Sequence, residues 1–169
     1  MAHILASIPI FLILSVFQSV AVSRITFLSG SADIVLLAIV SWITVEDEGN
    51  YIVWAIIGGF FISILSAMPL AVTVLVYLAA ALLTKLVHRL LWQSPILTIF
   101  LSTTLATVLK FFIEFIALKF MDIPSPFLIS LGSILMPSLL LNIFLIFPVY
   151  IMMADIGNLI SPKEDKYAG

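Results

Sequence analysis

Long apolar runs with few charged residues dominate this sequence and restrict what the chain can fold into. A bilayer core of about 30 Å needs about 20 apolar helical residues to cross it. Six runs predict six transmembrane helices, at residues 4–23, 26–45, 51–68, 69–84, 95–120 and 127–154. Within the second run, the Ser29-Gly30-Ser31 stretch just before Asp33 could be non-helical. The sixth could be long, tilted or broken near Gly132 and Pro137. The runs are continuous and do not alternate in hydrophobicity, which disfavours an outer-membrane β-barrel.

The composition excludes a soluble domain. Hydrophobic residues make up 63% of the 169-residue chain and charged residues 9%, whereas about a quarter of a soluble domain is charged. The mean hydropathy of +1.32 excludes a disordered chain, because such chains are poor in aliphatic and aromatic residues. The sequence therefore predicts an all-α, polytopic helix bundle in the lipid bilayer. It forms a single six-helix domain over residues 1–160, followed by a short polar cytoplasmic tail at 161–169.

Lysine and arginine residues near the helix ends predict the orientation, because cytoplasmic loops are enriched in these residues. With both termini in the cytoplasm, the inner face holds four of them, namely Lys85, Arg89, Lys163 and Lys166. The outer face then holds Arg24 and Lys119. This bias predicts cytoplasmic termini and places the acidic turn at 46–48 in the cytoplasm. A net charge of −2 gives no basic surface for nucleic acid, and the oligomeric state stays open.

Ionisable side chains lie inside the fifth predicted helix, where such groups are costly unless they are paired or face protein or water. Lys110 and Glu114 are four residues apart and share a helix face, which Thr103 and Thr107 continue. Asp33 in the second helix starts from the same side of the membrane. Together they predict either a polar pocket or partner contact in the outer half, or a Lys110–Glu114 ion pair that fixes helix register. The ion pair is the favoured interpretation, and extension of Glu114 alone to the interface is a further one.

Small residues four apart in the third predicted helix allow another helix to approach closely. They form a ridge that consists of Ala55, Gly59, Ser63 and Ala67. We expect intramolecular packing here, with a homodimer or partner interface as the alternative. In the sixth helix, Ser138 and Asn142 are also four apart. Because a buried amide must find partners in hydrocarbon, Asn142 is expected to bond another helix or to cap a break near Pro137.

The sequence lacks the motifs of several enzyme classes. It contains no His-Glu-x-x-His motif, no Gly-x-Ser-x-Gly elbow and no Walker loop. It has no cysteine and only two histidines, and neither His3 at the terminus nor His88 at a helix end is placed to activate a serine. We therefore predict a protein without catalytic activity, metal or cofactor.

Several short motifs follow one another in a characteristic order. An acidic residue precedes an aliphatic run in Ala32-Asp33-Ile34-Val35-Leu36-Leu37, and the run continues to Trp42. A glycine-containing span, Gly58-Gly59-Phe60-Phe61, leads to Ser66-Ala67-Met68-Pro69-Leu70-Ala71. Near the end come Pro137-Ser138-Leu139-Leu140-Leu141-Asn142 and Pro148-Val149-Tyr150. In order and spacing these motifs resemble those of the rod shape-determining protein MreD family, over nearly the whole chain. Ser63, Ala67 and Ala71 depart from the Asp and the two Gly of that pattern.

The resemblance implies a non-catalytic, multi-pass protein of the bacterial inner (plasma) membrane that controls cell shape and peptidoglycan synthesis. Family members bind the single-span protein MreC within the cell-wall elongation complex, which also contains MreB, RodZ, RodA and a class B penicillin-binding protein. The family fold is similar to that of the S-components of energy-coupling-factor transporters. This similarity supplies an alternative, a substrate-binding subunit of a vitamin transporter, to which the Ala2-x-x-x-Ala6 pair adds slight support. The short loops favour the scaffold.

Overall fold

Six helices account for most of the chain that the structure describes, which confirms the predicted all-α architecture. The structure is a computed structural model, and it describes residues 2–20, 26–27, 29–46, 50–91, 93–123 and 126–160. The helices are α1 Ala2–Val20, α2 Ile34–Val45, α3 Tyr51–Leu65, α4 Leu70–Leu90, α5 Pro95–Phe120 and α6 Phe127–Ile160. Three of them, α4, α5 and α6, are long and apolar enough to cross a membrane, whereas the first three contribute shorter apolar stretches.

Proline marks the start of two helices and a π-helical turn interrupts a third. Pro69 precedes α4 and Pro95 begins α5, as expected for a residue whose missing N–H costs no helical hydrogen bond at the first turn. The predicted end of the third helix at 68 is wrong, because Ser66 is extended and α3 ends at Leu65. The sixth helix continues to Ile160 beyond the predicted 154, and a π-helical turn at Leu131–Leu135 lies at its predicted weak point.

The helix predicted at 26–45 begins later than residue 26, and the stretch Ser29-Gly30-Ser31, indicated by the sequence as a non-helical candidate, is non-helical in the structure. Strands β1 (Thr26–Phe27) and β2 (Gly30–Ser31) pair there as a short antiparallel hairpin, and α2 begins only at Ile34. Gly30 explains the difference, because a Cβ at this position would lie 2.7 Å from the Ile134 carbonyl oxygen and 2.7 Å from the Ser138 nitrogen. The hairpin therefore fits against the backbone of α6 only where the side chain is absent.

Helix α2 occupies the centre of the bundle. Every residue from Ile34 to Ile43 is buried, and the helix packs against α1, α3, α4, α5 and α6. A helix that is hydrophobic all round is expected in such a position. Near its end, the Trp42 ring stacks on Trp54 of α3, with 3.8 Å between ring centroids and 7° between planes.

The predicted small-residue ridge of α3 packs inside the molecule over only part of its length. Ala55 and Gly59 are buried, and a Cβ on Gly59 would lie 2.9 Å from the Val74 Cα of α4. Ser63 is half-buried and donates a hydrogen bond to the Phe60 carbonyl. Ala67 is exposed and lies beyond the end of α3, so the predicted ridge is one residue too long.

Some sequence predictions fall on residues that the structure does not describe. The polar tail at 161–169, Arg24, and residues 47 and 48 of the acidic turn lie outside the described residues. The predicted orientation depends partly on Arg24, Lys163 and Lys166. It therefore stays a prediction from the sequence.

Candidate functional site

The first turn of α2 is capped by side chains, which position the polar cluster of the molecule. Asp33 is its N-cap, and its side chain accepts a hydrogen bond from the Leu36 N–H at 3.0 Å. The Val35 N–H donates to the Gln18 side-chain oxygen of α1 at 3.1 Å. The first N–H groups of a helix have no intrahelical partner, and in a membrane they must be satisfied within the protein. Asp33 and Gln18 therefore allow α2 to begin inside the bundle.

Lys110 of α5 lies between two carboxylates. Its Nζ forms an ion pair and hydrogen bond with the Asp33 Oδ2, and lies 3.7 Å from the Glu114 Oε1. The side chains of Lys110, Asp33 and Glu114 are 22%, 5% and 34% exposed. Glu114 therefore shares Lys110 with a closer and more deeply buried acid. The predicted Lys110–Glu114 pair is one part of a three-group cluster, which we call the charged triad.

Tyr77 of α4 completes the environment of Asp33. Its hydroxyl donates to the Asp33 Oδ2 at 2.7 Å. The Lys110 Nζ also lies 5.7 Å from the centre of the Tyr77 ring, within the range of a cation–π interaction. Asp33 thus receives hydrogen bonds from the backbone, a phenol and an ammonium group. Such compensation is what a buried carboxylate requires to remain charged.

A neutral hydrogen-bonded layer adjoins the charged triad. Asn142 of α6 is 1% exposed and uses both ends of its amide. Its oxygen accepts from the Asp33 backbone N–H at 2.8 Å, and its nitrogen donates to the Thr107 hydroxyl at 2.9 Å. The Thr107 hydroxyl in turn donates to the Thr103 carbonyl at 2.8 Å. Asn142 therefore links α6 to both α5 and the start of α2.

The hairpin attaches to α6 beside this layer. The Ser31 N–H donates to the Ser138 hydroxyl at 3.2 Å, and the Ser29 N–H donates to the Ser133 carbonyl of the π-helical turn at 3.1 Å. A Cβ on Gly30 would also lie 2.8 Å from the Pro137 Cβ. The hairpin is consequently held by hydrogen bonds on both sides of Gly30.

Two cavities lie on either side of the charged triad. The larger, of about 220 Å³, is lined mainly by residues of α1, α3, α4 and α5 and includes both Lys110 and Glu114 in its wall. The smaller, of about 110 Å³, is bordered by α5 and α6 and shares Ser31, Lys110 and Glu114 with the larger. Lys110 lies about 22 Å along α5 from Pro95. Under the predicted orientation, both cavities are in the outer half of the membrane.

The structure brings together most of the predicted site residues. Asp33, Thr107, Lys110 and Glu114 meet around these cavities, together with Ser138 and Asn142. Thr103 is buried on the same helix, and its hydroxyl has no hydrogen-bond partner in the described part of the chain. The ridge residues Ala55, Gly59 and Ser63 lie on α3 and Ala67 lies beyond its end, and Pro148 lies within α6.

Sequence reasoning missed two members of the site, Gln18 and Tyr77. Gln18 carried a usable signal, because an amide within an apolar helix must find a partner. No local sequence pattern identified Tyr77, since its partner Asp33 is 44 residues away.

The chemistry of the site is that of charge pairing and polar binding. In the part of the chain that the structure describes, no group of three or more His, Asp or Glu could hold a metal ion. No protein-family model, curated protein or solved structure matches this chain.

Proposed function

We propose that this multi-pass membrane protein is a non-catalytic, MreD-like component of a bacterial cell-wall elongation complex. In this role it binds an MreC-like single-span protein and other membrane subunits of the complex. The order of short motifs in the sequence suggests this function, and the absence of the enzyme motifs named above agrees with it. The three long apolar helices provide the membrane location that it requires.

The observation that carries the proposal is the convergence of the motif residues. Asp33 of the first motif and Asn142 of the last are 109 residues apart, and they are joined by a 2.8 Å hydrogen bond. Ser31, next to the first motif, bonds Ser138 of the last motif, and Gly30 lies against Pro137. A chance similarity of short apolar motifs gives no reason for these positions to meet. Their meeting supports a shared architectural role.

The larger cavity favours a second candidate, a ligand-binding subunit similar to the S-components of vitamin transporters. Its wall contains the polar groups that such a site would need. Its volume of about 220 Å³, however, falls below the roughly 300–1,000 Å³ of most small-molecule sites. The scaffold therefore remains the favoured function.

Depletion of the protein in a rod-shaped host distinguishes these two functions. We expect depleted cells to become rounded or swollen, because wall elongation loses a subunit, and to retain uptake of each vitamin. Re-expression of the wild-type chain should restore the rod shape. Normal cell shape combined with a requirement for one vitamin would contradict the scaffold function and support the transporter subunit.

A further inference from the structure

Three of the hydroxyl groups that line the larger cavity donate their protons to other groups. Ser15 donates to the Phe11 carbonyl at 2.6 Å, and Thr73 donates to the Pro69 carbonyl at 3.3 Å. Tyr77 donates to Asp33. Each hydroxyl oxygen retains lone pairs once its proton is used. These three groups can therefore offer the cavity hydrogen-bond acceptors but no donors.

The charged triad, which contributes Lys110 and Glu114 to this wall, is unbalanced in charge. Two carboxylates, Asp33 and Glu114, share a single ammonium group, Lys110. When all three are ionised, one negative charge is left over. Lys110 lies closer to Asp33, whereas its 3.7 Å separation from Glu114 exceeds a normal hydrogen-bond length. The excess charge therefore resides on Glu114, which borders both cavities.

We propose that the larger cavity binds a primary ammonium group, with Glu114 as its counter-ion. An ammonium group carries one positive charge and three donors and no acceptor, which complements the excess carboxylate and the acceptor oxygens of Ser15, Thr73 and Tyr77. The remaining wall includes Ala32, Ile62 and Leu65, which would cover a short alkyl part.

The ammonium group can come from a free small amine or from the headgroup of an aminophospholipid. Both sources present the same chemistry to Glu114. The inference is independent of the elongation-complex proposal, because it concerns binding by the purified protein and not cell shape.

Thermal unfolding of the detergent-purified protein tests the site with ethylammonium chloride as the probe. We expect a saturable rise in the unfolding midpoint, since a ligand that binds only the folded state stabilises it. Sodium chloride and tetramethylammonium chloride at equal concentration should not produce this rise, because neither cation has an N–H donor. Equal stabilisation by either salt, or no saturable rise with ethylammonium, would overturn the proposal.

Variants then locate the site. Glu114→Gln should weaken ethylammonium binding by about tenfold or more, since a hydrogen bond to a charged group is worth about 1.5–3 kcal/mol. Thr73→Val keeps the triad and nearly keeps the shape, and should weaken binding about threefold. Asp155→Asn, an exposed acid near the other end of α6, is the matched control and should bind as wild type does. If Glu114→Gln does not fold, the affinity of Thr73→Val for ethylammonium tests the site instead. Unchanged ethylammonium binding by the folded Glu114 and Thr73 variants would contradict the proposed site.

Nanodiscs distinguish the two sources of the ammonium group. If a lipid supplies it, phosphatidylethanolamine should stabilise the wild type relative to phosphatidylcholine, and Glu114→Gln should abolish that difference. If a free amine supplies it, ethylammonium should bind equally well in both lipids. Either result supports the ammonium site. If neither phosphatidylethanolamine nor ethylammonium stabilises the wild-type protein, the ammonium site is refuted.

Discussion

Asp33 is the residue on which most of the polar cluster depends. It caps α2, accepts the Tyr77 hydroxyl and pairs with Lys110. One side chain therefore connects α2, α4 and α5 at a position that is 3% exposed. Substitutions here test whether the charges are retained for stability.

The ion pair between Asp33 and Lys110 should show strong energetic coupling. Lys110→Met leaves Asp33 buried without its cation, and we expect a loss of about 3 kcal/mol in the free energy of unfolding in detergent. Asp33→Asn should lose a similar amount, and the double variant should recover much of it because only the more exposed Glu114 then keeps its charge. Glu114→Gln should cost less, because this side chain is more exposed. Additive losses in a double-mutant cycle would contradict the pairing.

Gly30 should tolerate no side chain. Gly30→Ala brings a Cβ within 2.7 Å of backbone atoms of α6, and overpacking of this kind costs about 1–3 kcal/mol. Gly132→Ala is the matched control, because a Cβ there meets no atom within 4 Å. Chemical denaturation should therefore show a clear loss for Gly30→Ala and a near wild-type value for Gly132→Ala. Equal stabilities would show that the hairpin does not lie against α6.

At the scale of helices, close approach between α3 and α4 depends on Gly59. Gly59→Leu should lower the amount of folded protein in the membrane, since the first added atom already lies 2.9 Å from the Val74 Cα. Ala67→Leu, an exposed position beyond α3, should accumulate as wild type does. Size-exclusion chromatography after detergent extraction measures both. Wild-type behaviour of Gly59→Leu would mean that Gly59 faces lipid.

Helix positions could be predicted where a local signal exists. Pro69 and Pro95 identify the starts of α4 and α5 because proline acts on its own neighbours. Before α2, the Ser29-Gly30-Ser31 stretch indicated a non-helical segment but not the paired strands of the hairpin. Its stability depends on contacts of Gly30 with residues more than 100 positions later in the chain, and the apolar composition of 26–45 resembles that of a helix.

The polar site shows the same contrast between features set by local sequence and features set by long-range contacts. Periodicity placed Thr103, Thr107, Lys110 and Glu114 on one face of α5, because helical spacing is local. It could not identify Asp33 as the closest partner of Lys110, since 77 residues separate them. The roles of Tyr77 and Gln18 likewise arise only when α1, α2, α4 and α5 pack together.

At the scale of the whole molecule, the exposed surface is rich in large apolar side chains. Examples on three helices are Leu86, Phe120 and Phe144, which are 59%, 86% and 78% exposed. Such a surface suits contact with lipid or with the transmembrane helix of a partner, where association relies on packing. The buried charged triad, in contrast, serves the interior and its cavities.

Quantitative co-purification from the membranes of the native host tests the proposed scaffold function most directly. The tagged wild-type protein should retain an MreC-like single-span protein in near-stoichiometric amount after detergent extraction, and Ala67→Leu should retain it equally. An unrelated tagged multi-pass protein from the same membranes controls for nonspecific association. Recovery of the energising module of a vitamin transporter, with no MreC-like protein, would contradict the account.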